Sequence, residues 1–129
     1  MTSILNETFE KVLVLTTPKR VDRREKLDAQ MVKLGVEYEY FFGVVGNPFA
    51  WTRGMAVGEI GHLLSTISMM KEIIEKKYNT VLLLEDDAEF VDINNFDFNF
   101  YESFRLVPLD WEIVYLGCNS NELSPTGKR

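Results

Sequence analysis

The sequence TVLLLEDD at residues 80–87 decides the fold and points to the chemistry of the chain. Residues 80–84 form a short apolar run of the kind found in a strand that is buried on both faces. Three carboxylates, Glu85, Asp86 and Asp87, follow this run directly. Ligands of open α/β sheets bind at the carboxyl ends of the strands, and we therefore expect these side chains to line a binding edge.

The spacing of the three carboxylates favours a divalent cation. Side chains alternate across a strand, which places Glu85 and Asp87 on one face and Asp86 on the other. Adjacent carboxylates repel one another, and Mn²⁺ or Mg²⁺ relieves the repulsion by binding one or two of them together with substrate phosphates. Glu85 and Asp87 are therefore the candidate metal ligands. The alternative interpretation is a set of solvated acids that end the strand, with Asp87 capping a local turn.

The rest of the chain alternates between strand and helix patterns. Apolar runs rich in β-forming residues predict strands, and apolar residues at three- and four-residue spacing predict helices. The predicted strands are residues 11–15, 36–45, 80–84 and 111–116, and the predicted helices are residues 24–34, ending at a Gly35 cap, and residues 58–77. This alternation predicts an α/β fold with a mostly parallel sheet flanked by helices. We expect one domain over residues 1–118 and a flexible tail over residues 119–129.

The composition is typical of a globular protein, with 46% hydrophobic and 26% charged residues among 129. A net charge of −6 argues against broad nucleic-acid binding, which needs a basic surface. The single cysteine, Cys118, excludes an internal disulfide and fits a reducing compartment. Residues 1–11 lack the apolar run of a secretory signal, and no apolar stretch is long enough to span a membrane. We expect a cytoplasmic protein; association with a membrane face and a homodimer stay open.

The basic turn PKRVDRR at residues 18–24 joins the first strand to the first helix. This junction lies at the same carboxyl edge of the sheet, where the N-terminus of a helix favours anions. The guanidinium groups of Arg20, Arg23 and Arg24 can bind phosphate in a bidentate manner, and Asp22 can hold one of them in place. The alternative is a solvated helix start with Asp22 as its N-cap, although cations at a helix N-terminus oppose the helix dipole.

The predicted helix over residues 58–77 carries a polar face beside its apolar stripe. Glu59, His62 and Thr66 fall three and four residues apart on that face, and Ser65 borders it. His62 is the only histidine of the chain. The pattern is compatible with a functional role for His62 and also with a packed or surface position.

Five segments of the chain together form a recognisable series. They are LTTPKRVDRR at residues 15–24, YFFGVVG at 40–46, GEIGHLLST at 58–66, LEDD at 84–87 and DWEIVYLG at 110–117. In this order they resemble glycosyltransferase family 25, the lipopolysaccharide and lipooligosaccharide glycosyltransferases related to the collagen galactosyltransferase domain. The chain departs from the family pattern at three positions, with Thr16 in place of Asn, His62 in place of Cys and Thr66 in place of His.

The resemblance implies a GT-A-like fold, a Rossmann-type sheet whose acidic motif holds a metal ion and the diphosphate of a nucleotide-sugar donor. The implied donor is a UDP-sugar, with galactose as the first expectation, and the implied acceptor is a glycan or a lipooligosaccharide. The implied cofactor is Mn²⁺ or Mg²⁺, bound by Glu85 and Asp87. The catalytic candidates are Asp86, Asp87 and His62, and the donor-binding candidates are Thr16, Arg20, Asp22, Arg23, Arg24, Glu59 and Ser65.

Two other functions stay open on the sequence alone. Family members continue well beyond the position where this chain stops, and the second hypothesis is therefore a non-catalytic, truncated relative that binds nucleotide sugar or acts as an interaction subunit. The third is a response-regulator-like α/β domain, which also holds Mg²⁺ at its strand ends. Such domains place an acidic pair after the first strand, where this chain has Thr16 and Thr17, and this hypothesis ranks last.

Overall fold

The computed structural model describes residues 3–43 and 57–117, with the backbone alone for residues 57–59. Two compact units are present, Met1–Asp97 and Phe98–Arg129. Residues 44–56, Cys118 and the predicted tail over residues 119–129 lie outside the described residues. Within the described residues, no helix is both long enough and apolar enough to cross a membrane.

The chain alternates between helices and strands, as the sequence predicts. The elements are α1 (Ile4–Thr8), β1 (Lys11–Thr16), α2 (Val21–Leu34), β2 (Glu39–Phe42), α3 (Val57–Lys76), β3 (Val81–Glu85), a 3-10 turn (Ile93–Asn95) and α4 (Phe96–Phe104). The short α1 has no counterpart among the predicted elements. It begins where the hydroxyl of Ser3 accepts a hydrogen bond from the backbone N–H of Asn6 at 3.2 Å, which satisfies one donor of the first turn.

The three strands form one open, all-parallel sheet in the order β2-β1-β3. The chain leaves β1 through α2 to add β2 on one side, and later adds β3 on the other side. The predicted α/β fold with a parallel sheet is therefore confirmed. In this topology the strand order reverses between β1 and β3, and the carboxyl ends of those two strands form the crevice where ligands of such sheets bind.

The core of the first unit lies on the central strand. Residues 12–14 of β1 are buried because the sheet continues on both edges of this strand and covers its backbone. Leu27 and Met31 of α2 are fully buried, as their four-residue spacing predicts. The remaining buried apolar residues of this unit are Leu5, Phe9, Val36, Met69 and Leu82.

The start of α2 differs from the sequence prediction. The helix begins at Val21, three residues before the predicted start at Arg24, and its N-cap is Arg20. The interpretation with Asp22 as the N-cap is therefore wrong, because Asp22 lies inside the first helical turn. The predicted end is confirmed: Gly35 takes a left-handed conformation with φ of 65° and donates its N–H to the carbonyl groups of the last turn.

The second strand is shorter than predicted, because β2 covers Glu39–Phe42 where the pattern suggested residues 36–45. Residues 44 and 45 lie outside the described part of the chain. The third strand matches its prediction to within one residue.

The long helix α3 matches its predicted bounds to within one residue, but its apolar stripe is not its packing face. Among residues 60–76 of α3, the part whose burial is described, the buried positions are Gly61, Ser65 and Met69, which fall four residues apart on one side of the helix. The apolar residues Leu63, Leu64, Ile67, Met70 and Ile74 are exposed. Small residues therefore allow α3 to approach its neighbours closely along a line that hydrophobicity alone does not indicate.

The predicted fourth strand at residues 111–116 is wrong. This segment has irregular backbone, and its residues Ile113, Tyr115 and Leu116 are exposed. A strand needs a hydrogen-bonded neighbour, and an apolar run alone does not supply one. In the second unit the ring of Phe104 stacks on Phe100, with centroids 5.1 Å apart, and also meets Trp111 edge-on at 6.0 Å.

Candidate functional site

Asp86 lies at the crevice between the carboxyl ends of β1 and β3. The backbone N–H of Asp86 donates to the carbonyl of Leu15 at 3.1 Å, one step beyond the last register pair of the two strands. Its side chain is buried, with Asp86 only 3% exposed. The buried hydroxyl of Thr16 donates to Asp86 Oδ2 at 2.8 Å and thereby joins the two strand ends. A buried carboxylate requires such partners, since desolvation without them is costly.

Two arginines of the basic turn supply the remaining partners of Asp86. Nη1 of Arg20 and Nη1 of Arg23 donate to Asp86 Oδ1 at 3.4 and 3.3 Å. Their side chains stay 49% and 46% exposed, although the carboxylate between them is buried. Each guanidinium carries five N–H donors, and one bond to Asp86 leaves donors of both groups for an external ligand. The structure therefore brings Thr16, Arg20, Arg23 and Asp86 together, as the sequence predicted.

Arg24 has a different position from the other two arginines. Its guanidinium donates to the carbonyl groups of Thr17 and Pro18 in the β1–α2 turn, the second at 3.2 Å. The same group lies 5.4 Å from the ring centroid of Phe42 and 6.0 Å from that of Tyr40. Nη1 of Arg24 also lies 3.4 Å from the hydroxyl oxygen of Thr16, to which it donates. Arg24 is therefore held against the turn and the end of β2, and it meets Asp86 only through Thr16.

The two candidate metal ligands flank the buried carboxylate. Glu85 and Asp87 have side chains 59% and 58% exposed, on either side in sequence of the buried Asp86. Strand β3 ends at Glu85, and the chain then turns, with the N–H of Ala88 donating to the carbonyl of Glu85 at 3.1 Å. Nη1 of Arg23 lies 3.9 Å from Asp87 Oδ2.

His62 of α3 also reaches this edge of the sheet, with its Nε2 3.5 Å from Oε1 of Glu85. Among the described residues, no group of three or more His, Cys, Asp and Glu side chains is arranged to hold a metal ion. Mg²⁺ and Mn²⁺ commonly take one or two carboxylates together with substrate phosphates, and the exposed Glu85 and Asp87 fit that smaller set.

The other predicted site residues are dispersed. Ser65 is buried and donates to the carbonyl of Gly61 at 2.7 Å, within the packing face of α3. Thr66 donates to the carbonyl of His62 at 2.9 Å. Asp22 is exposed in the first turn of α2. The side chain of Glu59 lies outside the described part of the structure.

Gln30 of α2 contacts the segment after the acidic motif and is not among the residues that the sequence predicts. Its side-chain amide donates to the carbonyl of Ala88 at 3.0 Å and accepts from the N–H of Phe90 at 2.8 Å. These two bonds fix the segment that follows the acidic motif against α2. No local pattern marks Gln30, because both of its partners lie about 60 positions away in sequence.

A second missed group lies between α2 and β2. The hydroxyl groups of Tyr38 and Tyr40 both donate to Asp28 Oδ1. Burial, and then the hydrogen bond to Asp28, raises the pKa of each phenol above its ordinary value. The alternation of aromatic residues at 38, 40 and 42 is the signal that places them on one side of β2 and of the residue before it.

Comparison with known proteins finds relatives in one family of glycosyltransferases. Procollagen galactosyltransferase 2 of Mus musculus is 26% identical over 129 residues, an alignment that covers 84% of this chain and 21% of the mouse protein. A glycosyltransferase 25 family member of Drosophila melanogaster is 26% identical over 102 residues, covering 64% of this chain and 17% of the fly protein. The chain is a distant relative of the glycosyltransferase 25 family.

The family also contains proteins named as inactive. Inactive glycosyltransferase 25 family member 3 of Homo sapiens is 26% identical over 132 residues, covering 84% of this chain and 22% of the human protein. The chain spans about a fifth of the length of the curated relatives it matches. No protein-family model matches the chain, and no solved structure matches it.

Proposed function

We propose that the chain is the donor-binding part of a glycosyltransferase, and that the donor is a UDP-sugar. The observation that carries this proposal is the pair of half-exposed arginines, Arg20 and Arg23, fixed on the buried Asp86 at the β1–β3 crevice. The α2 N-terminus adds backbone N–H groups there, because Arg20 makes no side-chain capping bond. Fixed guanidinium groups beside an uncapped helix start suit a diphosphate.

Asp86 acts in this proposal as a positioning residue. Its burial and its bond to Thr16 keep it away from solvent, and its Oδ1 faces both arginines. The carboxylate holds the two guanidinium groups at a set spacing before the donor arrives, which reduces the ordering cost of binding.

The proposed metal ligands are Glu85 and Asp87, which would hold Mn²⁺ or Mg²⁺ against the donor diphosphate. Bound there, the ion would neutralise charge on the leaving UDP. Asp87 lies near Arg23, and His62 near Glu85. The guanidinium of Arg23 opposes binding of a metal ion without phosphate, and we expect the ion and the diphosphate to bind together. We further propose galactose as the sugar, on the basis of the galactosyltransferase relatives, and a glycan or lipooligosaccharide as the acceptor.

Calorimetric titration tests the donor site. Wild-type protein is titrated with UDP and UDP-galactose, with and without Mn²⁺, and compared with Asp87→Ala. Glu75→Ala is the matched control, since Glu75 is an exposed acid near the other end of α3. We expect Mn²⁺ to tighten binding at least about 10-fold in the wild type and the control, and Asp87→Ala to lose most of this gain. If UDP and UDP-galactose bind equally well with and without Mn²⁺, the proposed metal role is excluded. If neither ligand binds, the donor site is excluded.

A non-catalytic relative that binds nucleotide sugar, or serves as an interaction subunit, is the second candidate. The similarity to a human protein named as inactive favours it. Release of UDP from UDP-galactose, measured with Mn²⁺ and with an acceptor glycan, distinguishes the two functions. Turnover above that of Asp87→Ala supports the transferase, whereas donor binding without turnover supports the second candidate.

A further inference from the structure

Phe42 presents a large apolar ring to solvent at the carboxyl end of β2. It is 54% exposed, although the central strand beside it is buried. In the sheet register Phe42 pairs with Thr16, the residue whose hydroxyl holds Asp86. The ring therefore stands one strand away from the crevice in which Arg20 and Arg23 meet Asp86.

The ring of Phe42 is held by two neighbours. Tyr40, two residues earlier on the same face of β2, lies 6.3 Å from it between centroids with a tilt of 49°. The guanidinium of Arg24 lies over the ring at 5.4 Å from the centroid. The hydroxyl of Tyr40 donates to Asp28 of α2, and this hydrogen bond fixes the Tyr40 ring beside Phe42. Arg24 covers one side of the Phe42 ring, and the exposed remainder of the ring is accessible to a ligand.

Arg24 connects this ring to the phosphate-binding arginines. It lies one turn after Arg20 and directly after Arg23 on α2, and its guanidinium also donates to the carbonyl groups of the turn that carries Arg20. A ligand that contacts Arg20 and Arg23 with its phosphates thus has Phe42 within the same short stretch of sheet edge. Of the common phosphorylated ligands, a nucleoside diphosphate joins such an anionic end to a flat π system.

We propose that Phe42 is the stacking platform for the nucleobase of a nucleoside diphosphate, with Arg24 as the residue that positions its ring. This inference rests on the proposed donor site. Stacking on an aromatic ring depends on the π face that every base has, and Phe42 therefore supplies affinity for the nucleoside part without choosing among bases. Arg24 acts through Phe42, the β1–α2 turn and the hydroxyl of Thr16.

The experiment compares a ligand that has a base with one that lacks it. UDP and inorganic pyrophosphate, each with Mn²⁺, are titrated into wild type, Phe42→Leu, Phe42→Tyr and Arg20→Gln. Val32→Ala serves as the control, because Val32 is an exposed apolar residue of α2 away from the crevice. We expect Phe42→Leu to weaken UDP binding about 10-fold, the effect of losing one stacked base, and to leave pyrophosphate binding unchanged.

The other variants separate this inference from the donor site itself. Phe42→Tyr keeps the ring and should retain UDP affinity, whereas Arg20→Gln should weaken UDP and pyrophosphate alike. Equal effects of Phe42→Leu on both ligands, or none on either, would overturn the platform while leaving the diphosphate site intact. Failure of the wild type to bind either ligand would overturn the donor site and the platform with it.

Discussion

The two edges of the parallel sheet each carry a carboxylate paired with basic side chains, buried at one edge and exposed at the other. At the carboxyl edge, the buried Asp86 accepts from Thr16, Arg20 and Arg23. At the amino edge, Lys11 of β1 pairs with Glu39 of β2, whose side chain is 57% exposed. Both pairs join a strand to a neighbouring element. They differ in the access of water to the carboxylate.

A buried carboxylate needs hydrogen-bond partners from the protein, whereas water can replace the partners of an exposed one. Asp86 is buried, and it therefore needs the partners that hold it in place. Glu39 keeps most of its water, and salt screens its attraction to Lys11. The carboxyl edge therefore has cations at set positions, as a binding site requires, and the amino edge has a surface ion pair of ordinary strength.

The largest expected effect is that of Asp86→Ala. The substitution leaves the buried Thr16 hydroxyl without its acceptor and two arginines without their shared carboxylate. We expect a loss of about 3 kcal/mol in the free energy of unfolding, at the lower end of the range for a broken buried pair because the arginines reach solvent. Urea denaturation measures this loss. Asp87→Ala is the control, with an expected loss below about 1 kcal/mol, and equal losses would remove the distinction between the buried and exposed acids.

The sequence predicts the alternating fold because local patterns determine its main elements. The apolar run of β1, the helical spacing of α3 and the glycine cap of α2 each act within a few residues, and the structure confirms the strand, the helix and the cap, although the apolar stripe of α3 is exposed. The fourth strand fails for the opposite reason. An apolar run is necessary for a strand, but the hydrogen-bonded neighbour is a matter of tertiary structure that residues 111–116 do not encode locally.

The second-largest expected effect on stability is that of Gly43→Ala, because α3 closely approaches the carboxyl edge of the sheet at Gly43. A Cβ atom at this position would lie 2.4 Å from Ser65 Oγ and 2.8 Å from Ser65 Cβ. Rotation of the hydroxyl relieves the first contact, but the second requires the helix to move. We expect Gly43→Ala to cost about 2 kcal/mol in the free energy of unfolding, measured with urea. Gly117→Ala, where no atom lies within 4 Å of the added carbon, is the control, and similar losses at both positions would argue against the close contact.

A smaller effect is expected between the two edges, at Tyr40. Tyr40→Phe removes one hydrogen bond to Asp28, and we expect a loss of about 1 kcal/mol near neutral pH. The raised pKa of Tyr40 keeps it protonated in the folded protein while the unfolded chain ionises near pH 10.0. The stabilisation is therefore complete below that pH and declines as the pH rises above it, by up to about 1.4 kcal/mol per pH unit for one proton.

Urea denaturation at neutral pH and above pH 10.0 measures this dependence. The decline should be shallower in Tyr40→Phe than in the wild type. The exposed Tyr101 offers a control, and Tyr101→Phe should follow the wild type. A decline equally steep in Tyr40→Phe and the wild type would show that Tyr40 does not titrate differently in the two states.

The sequence predicts which residues belong to the candidate site better than it predicts the role of each. The motifs identify the arginines and the acids because charged residues follow strands whose carboxyl ends meet at one edge. Local sequence does not reveal that Asp86 is buried and Asp87 exposed, or that Arg24 turns toward Phe42. Those differences depend on the turn after Glu85 and on packing between α2 and β2, which only the folded chain defines.

The smallest expected effect is that of Lys11→Met at the amino edge. Methionine retains much of the apolar stem that Lys11 packs along the sheet, and the substitution mainly removes the charge that pairs with Glu39. The hydrogen bond from Lys11 lowers the pKa of Glu39, and the pair contributes above the ordinary pKa of 4.5 and is lost as the pH falls through the lower folded value. We expect a loss of no more than about 0.5 kcal/mol at neutral pH and low salt, and none in about 1 M salt or in acid.

Urea denaturation under these three conditions measures the loss, with Asp86→Ala measured in parallel. The loss caused by Asp86→Ala should persist in salt because dissolved ions do not reach the buried carboxylate. A loss caused by Lys11→Met that also persisted in salt would show that the two edges do not differ in solvent access.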